Sequence, residues 1–128
     1  MGGVSSSGAI PKEGEHQPDM ALSKAKTIVS SNPVVVFSKT YCGYCTKVKQ
    51  LFLQLGASYN IVELDIESDG DEIQTALATW TGQRTVPNVF IGGDHIGGCD
   101  AVLAMHKQGK LVPRLNEVGA IAKSSAEV

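Results

Sequence analysis

A pair of cysteines in the spacing C-x-x-C constrains this chain more than any other feature of its sequence. Cys42 and Cys45 follow an apolar run at residues 34–37 and open a segment whose apolar residues recur at helical spacing. Such a pair, lying between a strand and a helix, is typical of a dithiol redox site. The first sulfur would lie among the free N–H groups at the positive end of the helix dipole, which favours a thiolate. We therefore predict that Cys42 is a nucleophile.

The residues around the pair support different roles for the two sulfurs. Lys39, Lys47 and Lys49 are expected to add positive charge near Cys42. Cys45 lies one helical turn further along the chain, with less access to solvent and to the helix dipole. We predict that it is the resolving thiol, which attacks a mixed disulfide formed on Cys42.

A structural zinc site is the main alternative for a C-x-x-C pair. Such a site needs four ligands and usually a second closely spaced pair of cysteines or histidines. The other candidates in this chain are Cys99 and the isolated His16, His95 and His106, and their spacing is unsuitable. The sequence therefore favours the redox interpretation, and His95 and His106 are expected to be structural or solvated.

Composition limits the remaining functions. A chain of 128 residues fits one domain with a single core, and an apolar content of 42% is ordinary for a globular protein. The formal charge of -2, without a basic cluster, gives no argument for nucleic acid. We expect no secretory signal, and no apolar run is long enough to span a membrane. Three cysteines, an odd number, predict thiols that cycle in a reducing, cytoplasmic setting.

Polar tails are expected to flank one domain at residues 19–120. Residues 1–18 and 121–128 contain few large apolar side chains, so we predict that the first segment is flexible and the second is a short tail. The chain start, M-G-G-V-S-S, matches the pattern for myristoylation of Gly2. An ordinary polar start is the alternative. A membrane is thus expected as a partner only if Gly2 is modified, and then with marginal affinity.

The pattern of helices and strands predicts an α/β fold. A strand-helix-strand unit is followed by a helix, a hairpin around Gly92-Gly93 and further helices, which is the thioredoxin-like arrangement with a four-stranded mixed sheet flanked by helices. Gly56 and Gly82 are expected to end two helices, and Trp80 is assigned to packing. The predicted helices cover about residues 19–31, 43–55, 71–81, 101–108 and 111–120, and the predicted strands cover 34–37, 59–64, 88–91 and 95–96.

Three separated motifs resemble the dithiol glutaredoxins. They are K-T-Y-C-G-Y-C at residues 39–45, T-G-Q-R-T-V-P at 81–87 and G-G-C-D at 97–100. The resemblance covers about residues 19–119 and is closest to the plant class with C-G-Y-C or C-P-Y-C, whereas the W-C-G-P-C motif of thioredoxin is absent. It implies a glutathione-dependent thiol-disulfide oxidoreductase, acting on glutathione mixed disulfides and on protein disulfides through Cys42 and Cys45.

The resemblance also implies where glutathione binds. Pro87 corresponds to a proline that is cis in thioredoxin-like folds, and an ordinary X-Pro turn is the alternative. With the cis form, the backbone of Val86 would pair with the cysteinyl unit of glutathione. Lys39, Gln74 and Arg84 would hold the glycyl carboxylate of glutathione. The turn at residues 98–100 would hold its γ-glutamyl end. The implied glutathione contacts are Lys39, Tyr44, Gln74, Arg84, Thr85, Val86, Pro87, Gly98, Cys99 and Asp100.

Two questions stay open from the sequence. Cys99 is either a small buried side chain or an accessible thiol that could form a disulfide with a second molecule. Gly43 stands where many relatives have proline, and glycine leaves the loop freer. In relatives with such loops a two-iron two-sulfur (2Fe-2S) cluster bridges two subunits, held by the first cysteine of each and by two glutathione thiolates. A cluster-binding homodimer using Cys42 as metal ligand, acting as redox sensor or cluster carrier, is therefore the second hypothesis; without a cluster we expect a monomer.

Overall fold

Residues 18–121 are described by the computed structural model, as five helices and one four-stranded sheet. The predicted myristoylation site at Gly2 and most of both predicted tails lie outside this range. No helix within it is long and apolar enough to cross a membrane. In chain order the elements are α1 (Pro18–Ser31), β1 (Val34–Ser38), α2 (Gly43–Gln54), β2 (Asn60–Glu63), α3 (Gly70–Thr81), β3 (Asn88–Ile91), β4 (Asp94–Gly97), α4 (Cys99–Lys107) and α5 (Leu111–Glu117).

The sheet has the strand order β2-β1-β3-β4. β1 runs parallel to β2 and antiparallel to β3, and β3 pairs with β4 in an antiparallel hairpin. The hairpin turn contains Gly92 and Gly93, whose φ angles of 60° and 87° are those that glycine adopts without strain. The predicted thioredoxin-like fold with a mixed four-stranded sheet is confirmed.

The side chains of β1 divide the core into two layers. Val34 and Val36 pack with α2, α4 and α5 on one face, while Val35 and Phe37 pack with α1 and α3 on the other. All four are fully buried, as expected for a central strand covered on both faces. Alternation then places Ser38, also fully buried, on the same face as Val34 and Val36, which is the face of the helix that follows Cys42.

Aromatic side chains fill the second layer. The ring of Phe90 on β3 lies edge-on to Phe37, with centroids 5.8 Å apart, and stacks on Trp80 at 5.0 Å. Trp80 is therefore a packing residue, as the sequence predicted.

Several element ends differ from the predicted ones. α4 begins at Cys99 rather than Ala101, because the extended Gly98 occupies the N-cap position. α2 ends at Gln54 with Leu55 as its C-cap, so Gly56 follows the cap instead of forming it. Gly82 does end α3, in the left-handed conformation at φ 82°. The differences are confined to the first or last turn of each element, where local spacing carries little information.

We predict that Gly70→Ala destabilises the protein by about 2 to 3 kcal/mol. Gly70 is the buried first residue of α3, and a methyl group there would overlap the backbone carbonyl of Leu64. Gly43→Ala is the matched control, because Gly43 is the first residue of α2 and a methyl group on it meets no atom within 4 Å. Thermal unfolding of both variants checks this, and equal melting temperatures would contradict the predicted overlap.

Candidate active site

Cys42 is the N-cap residue of α2. Its backbone is extended, and its Sγ accepts a hydrogen bond from the backbone N–H of Cys45 at 3.3 Å. A turn bond from the Cys42 N–H to the Lys39 carbonyl, at 3.1 Å, fixes the approach to the helix. The sulfur is partly exposed and lies at the positive end of the helix. This is the position at which a thiolate receives both a hydrogen bond and the field of the helix dipole.

Cys45 has a different environment one turn further along α2. It is fully buried, and burial, followed by a hydrogen bond to Cys42, raises its pKa from an ordinary 9.0 to about 11. Hydrogen bonds from the backbone of Lys39 and the hydroxyl of Ser38 lower this pKa, but their effect is smaller. At neutral pH Cys45 is therefore a protonated thiol, which can donate a hydrogen bond to the sulfur of Cys42.

The loop before β3 brings a backbone carbonyl next to the first sulfur. The Val86–Pro87 peptide is cis, which is the geometry the resemblance implied. The Sγ of Cys42 lies 3.8 Å from the carbonyl oxygen of Val86, although the two residues are 44 positions apart in the chain. The nucleophile and the segment expected to hold a peptide backbone are thus direct neighbours.

Two of the lysines predicted around the sulfur have other partners in the structure. Lys49 instead forms a partly buried ion pair with Glu63 on β2, with Nζ and Oε2 2.7 Å apart. Lys47 lies over the ring of Tyr44, 5.3 Å from its centroid. The carboxylate of Glu63 offsets the charge of Lys49, and the expected contribution of Lys49 at Cys42 stays a prediction.

Thr40 ties the loop before Cys42 to the loop after β2. The backbone N–H of Thr40 donates to Oδ1 of Asp65 at 3.0 Å, and its hydroxyl donates to the other carboxylate oxygen. The hydroxyl bond holds the pKa of Asp65 below its ordinary value. The charged carboxylate therefore fixes the conformation of the approach to the active cysteine at neutral pH.

A cleft of about 750 Å³ opens beside Tyr44 and the cis-proline loop. Its opposite wall is the segment from the end of β4 into the first turn of α4. The cleft collects the following predicted glutathione contacts: Tyr44, Thr85, Val86, Pro87, Gly98, Cys99 and Asp100. It has the size and the mixture of apolar surface and backbone donors expected for a small peptide.

Three predicted contacts do not line this cleft. The side chain of Gln74 donates to the backbone carbonyl of Arg84 at 2.8 Å, so it braces the loop, while the Arg84 residue itself is exposed. Lys39 is partly buried, and its charge lies near Asp65. Their predicted role at the glycyl carboxylate stays a prediction.

Cys99 is buried, with 6% of its surface exposed. Burial raises the pKa of its thiol above the ordinary value. The condition for an intermolecular disulfide, an accessible thiol, is not met in this conformation. Of the two possibilities left open by the sequence, the structure therefore favours the small buried side chain.

Sequence reasoning missed polar residues that organise the cleft. Gln83 and His95 line it, and Asn88, which is fully buried, lies behind it. His95 was expected to be structural or solvated, and its hydrogen bond to Asn88, with Nε2 2.8 Å from the side-chain oxygen, fits the structural role. Partial burial lowers the pKa of His95, so the ring is neutral at pH 7. The only signal for Gln83 was its place inside the motif at residues 81–87.

A second cleft, of about 470 Å³, lies at the end of α1 near the β3–β4 turn. Its lining contains no cysteine and no titratable side chain. The redox chemistry therefore belongs to the cleft beside Cys42.

The comparisons with known proteins agree with this geometry. Residues 34–96 match the family model of glutaredoxin. Glutaredoxin-C1 of Arabidopsis thaliana is 59% identical over 128 residues, which is the full length of both chains. A glutaredoxin of Ricinus communis is 72% identical over 102 residues, 80% of this chain and all of its own. The crystal structure of a buckwheat glutaredoxin-glutathione complex superposes with a TM-score of 0.83 at 69% identity, covering 88% of this chain and 100% of that one.

Proposed function

This chain belongs to the glutaredoxin family, and we propose how its cleft and cysteines carry out glutathione-dependent thiol-disulfide exchange. The observation that carries the proposal is the Sγ of Cys42, which is held at the start of α2 and lies 3.8 Å from the Val86 carbonyl at the edge of the cleft. The backbone of Val86 can bind the peptide half of a mixed disulfide while the neighbouring Cys42 attacks its sulfur, so the preferred substrate is a disulfide of which one half is a small peptide.

In the first step the thiolate of Cys42 attacks the glutathione sulfur of a mixed disulfide. A bond forms between Cys42 and that sulfur, the original disulfide bond breaks, and the substrate thiolate leaves and takes a proton from solvent. The backbone N–H of Cys45 and the dipole of α2 stabilise the attacking thiolate. The product is a reduced substrate and an enzyme with glutathione on Cys42.

In the second step a free glutathione thiolate attacks the glutathione sulfur on Cys42. Oxidised glutathione leaves, and the Cys42 thiolate is restored. One half of that product is the glutathionyl unit of the substrate, and the other half is the single free glutathione that the cycle consumes. This path uses one protein thiol only. Reduction of a protein disulfide instead leaves the substrate attached to Cys42, and the neighbouring Cys45 releases it by forming the Cys42–Cys45 disulfide.

Glutathione is proposed to lie in the cleft as an added extended strand. Its cysteinyl unit pairs with the backbone of Val86, and its γ-glutamyl end lies at the start of α4. That helix begins at Cys99 after the extended Gly98, so unpaired backbone N–H groups of its first turn are available for the γ-glutamyl carboxylate, and Asp100 can accept from the ammonium.

The test is turnover of an S-glutathionylated peptide with glutathione as the only reductant. The same peptide carrying a 2-hydroxyethyl disulfide serves as the comparison, because its small half has no peptide groups. We expect the glutathionylated peptide to react faster by at least about tenfold, which corresponds to about 1.4 kcal/mol of recognition. Equal rates would contradict binding of the glutathionyl unit in the cleft.

We propose a second capability, binding of a 2Fe-2S cluster between two copies of the chain. A single chain cannot complete such a site, since no group of three or more potential metal ligands occurs within residues 18–121 and four thiolates are needed. Cys42 from each copy and two glutathione thiolates supply four. The observation in favour is Gly43, which is exposed and leaves the space beside Cys42 open. The two functions exclude each other in time, because they use the same sulfur.

An absorption spectrum from about 300 to 600 nm tests the cluster proposal, recorded on protein purified without oxygen and with glutathione, together with gel filtration. We expect visible charge-transfer bands that travel with a dimer and disappear in Cys42→Ser. A colourless monomer that still reduces mixed disulfides would leave the oxidoreductase function alone.

The odd number of cysteines, three, supports a further proposal, that the protein works in a reducing, cytoplasmic setting. Membrane association is proposed only for a form acylated at Gly2. Cell fractionation of the full chain and of Gly2→Ala tests both statements, and an unchanged membrane fraction in the variant would contradict the second.

A further inference from the structure

The side-chain amide of Gln83 lies between the two walls of the cleft and hydrogen-bonds to one of them. Its Nε2 donates to the carbonyl of Thr85 at 3.1 Å and to the carbonyl of Pro87 at 3.0 Å. The same amide lies against the other wall, since a methyl group on Gly98 would come within 3.8 Å of Nε2 and one on Gly97 within 3.7 Å of Oε1. One side chain thus hydrogen-bonds to the cis-proline loop and lies next to the segment that leads into α4.

These two hydrogen bonds fix the orientation of the backbone at Val86. The peptide between Thr85 and Val86 is trans, so its C=O and N–H point in opposite directions. A Thr85 carbonyl held by Gln83 therefore sets the direction of the Val86 N–H. The hydrogen bond from Nε2 of Gln83 to the Pro87 carbonyl holds the residue after Val86. The backbone groups that would pair with an extended peptide are oriented by Gln83, which does not itself need to contact the ligand.

Gln83 is in turn held by polar groups, among them the buried Asn88 behind the cleft, which connects it to His95, a second lining residue. The side-chain nitrogen of Asn88 donates to the backbone carbonyl of Gln83 at 3.4 Å, a long bond, and the backbone N–H of Gln83 donates to the Thr81 hydroxyl at 3.0 Å. The side-chain oxygen of Asn88 then accepts from the Nε2–H of His95 at 2.8 Å. Every polar atom of the fully buried Asn88 side chain is thereby used, which fixes its orientation.

We propose that Gln83 is a positioning residue that gives the enzyme its preference for the glutathionyl group, acting through the backbone of Val86. The inference rests on the proposed function and names the residue that determines the specificity of that site. Gln83 makes no hydrogen bond to Cys42 or Cys45, whose partners are Val86, Lys39, Ser38 and each other. Its removal should therefore change recognition of the substrate and leave the reactivity of the thiol unchanged.

The test is Gln83→Met, which keeps the length of the side chain and removes both donors. For the S-glutathionylated peptide we expect the second-order rate constant to fall about tenfold, the effect of losing two hydrogen bonds of ordinary strength. For the same peptide carrying the 2-hydroxyethyl disulfide, and for alkylation of Cys42 by iodoacetamide, we expect rates within about twofold of the unmodified protein. Gln108→Met, on the exposed end of α4, is the control and should change none of the three.

Two results would overturn the proposal. One is an unchanged rate for the glutathionylated peptide in Gln83→Met, and the other is an equal loss for both peptides and for alkylation, which would indicate a general structural role. If Gln83→Met does not fold, Gln83→Asn carries the same expectation, because its amide is one methylene too short to reach both carbonyls. Failure of the proposed function is visible separately, since the unmodified protein would then not distinguish the two peptides.

Discussion

Replacing Cys42 with serine is expected to lower glutathione-dependent turnover by at least about a thousandfold, to the uncatalysed rate. The serine oxygen can still accept the hydrogen bond from the Cys45 N–H, so the start of α2 should keep its geometry. A hydroxyl at this position is not ionised at neutral pH and cannot form a disulfide. The loss would therefore come from the chemistry of one atom, and turnover of an S-glutathionylated peptide measures it.

The melting temperature of Cys42→Ser provides the control, because the expected loss of activity comes with an intact fold. Cys45 is the only other sulfur in the same helix, and it is fully buried with a raised pKa. Retention of more than about a tenth of the activity in Cys42→Ser would mean that another thiol can act as nucleophile, and the assignment of roles would be wrong.

Replacing Cys45 with serine is expected to separate two activities that share Cys42. Reduction of glutathione mixed disulfides should continue, because free glutathione completes that cycle. Reduction of a protein disulfide should fall by about a hundredfold or more, since no neighbouring thiol remains to release the attached substrate. Parallel assays with a glutathionylated peptide and a disulfide-containing protein give the ratio that tests this.

The pH dependence of the dithiol reaction gives an independent measurement on Cys45. Burial and the hydrogen bond to Cys42 raise the pKa of Cys45 to about 11, so its thiolate fraction increases about tenfold for each pH unit between neutrality and that value. Release of an attached protein substrate should therefore accelerate as pH rises. The mixed-disulfide reaction of Cys45→Ser is the control. Its rate should stop rising at about pH 8.5, the ordinary thiol pKa that applies to free glutathione, whereas release by Cys45 should continue to accelerate above that pH. Complete loss of mixed-disulfide reduction in Cys45→Ser would contradict the proposed division of roles.

The sequence was sufficient wherever one element carried the information. The place of Cys42 at the start of a helix follows from the order strand, C-x-x-C, helix, and the structure has it as the N-cap of α2. The apolar run at residues 34–37 predicted a central strand buried on both faces, which β1 is. The predictions of Gly82 at a helix end and of Gly92-Gly93 in a hairpin turn likewise depended only on neighbouring residues in the chain. In each case the spacing within a few residues of chain decides the backbone conformation.

Side-chain pairing between elements could not be obtained in this way. Lys49 was expected to add positive charge near Cys42, and nothing in the sequence indicated its ion pair with Glu63 on β2. The predicted contacts Lys39, Gln74 and Arg84 were placed by resemblance of position, and the cleft does not include them. The burial of Cys99 depends on how α4 packs against the first core layer.

The sequence by itself determined the kind of chemistry, because a thiol at the start of a helix acquires its reactivity from groups within one turn of the chain. Only the tertiary structure decided how the cleft is held together. Gln83, Asn88 and His95 meet because the strands of the hairpin and the loop before it fold against each other. Hydrogen bonds of this kind depend on distances of about 3 Å between atoms of different elements, and such distances are fixed by packing and leave no periodic pattern in the sequence.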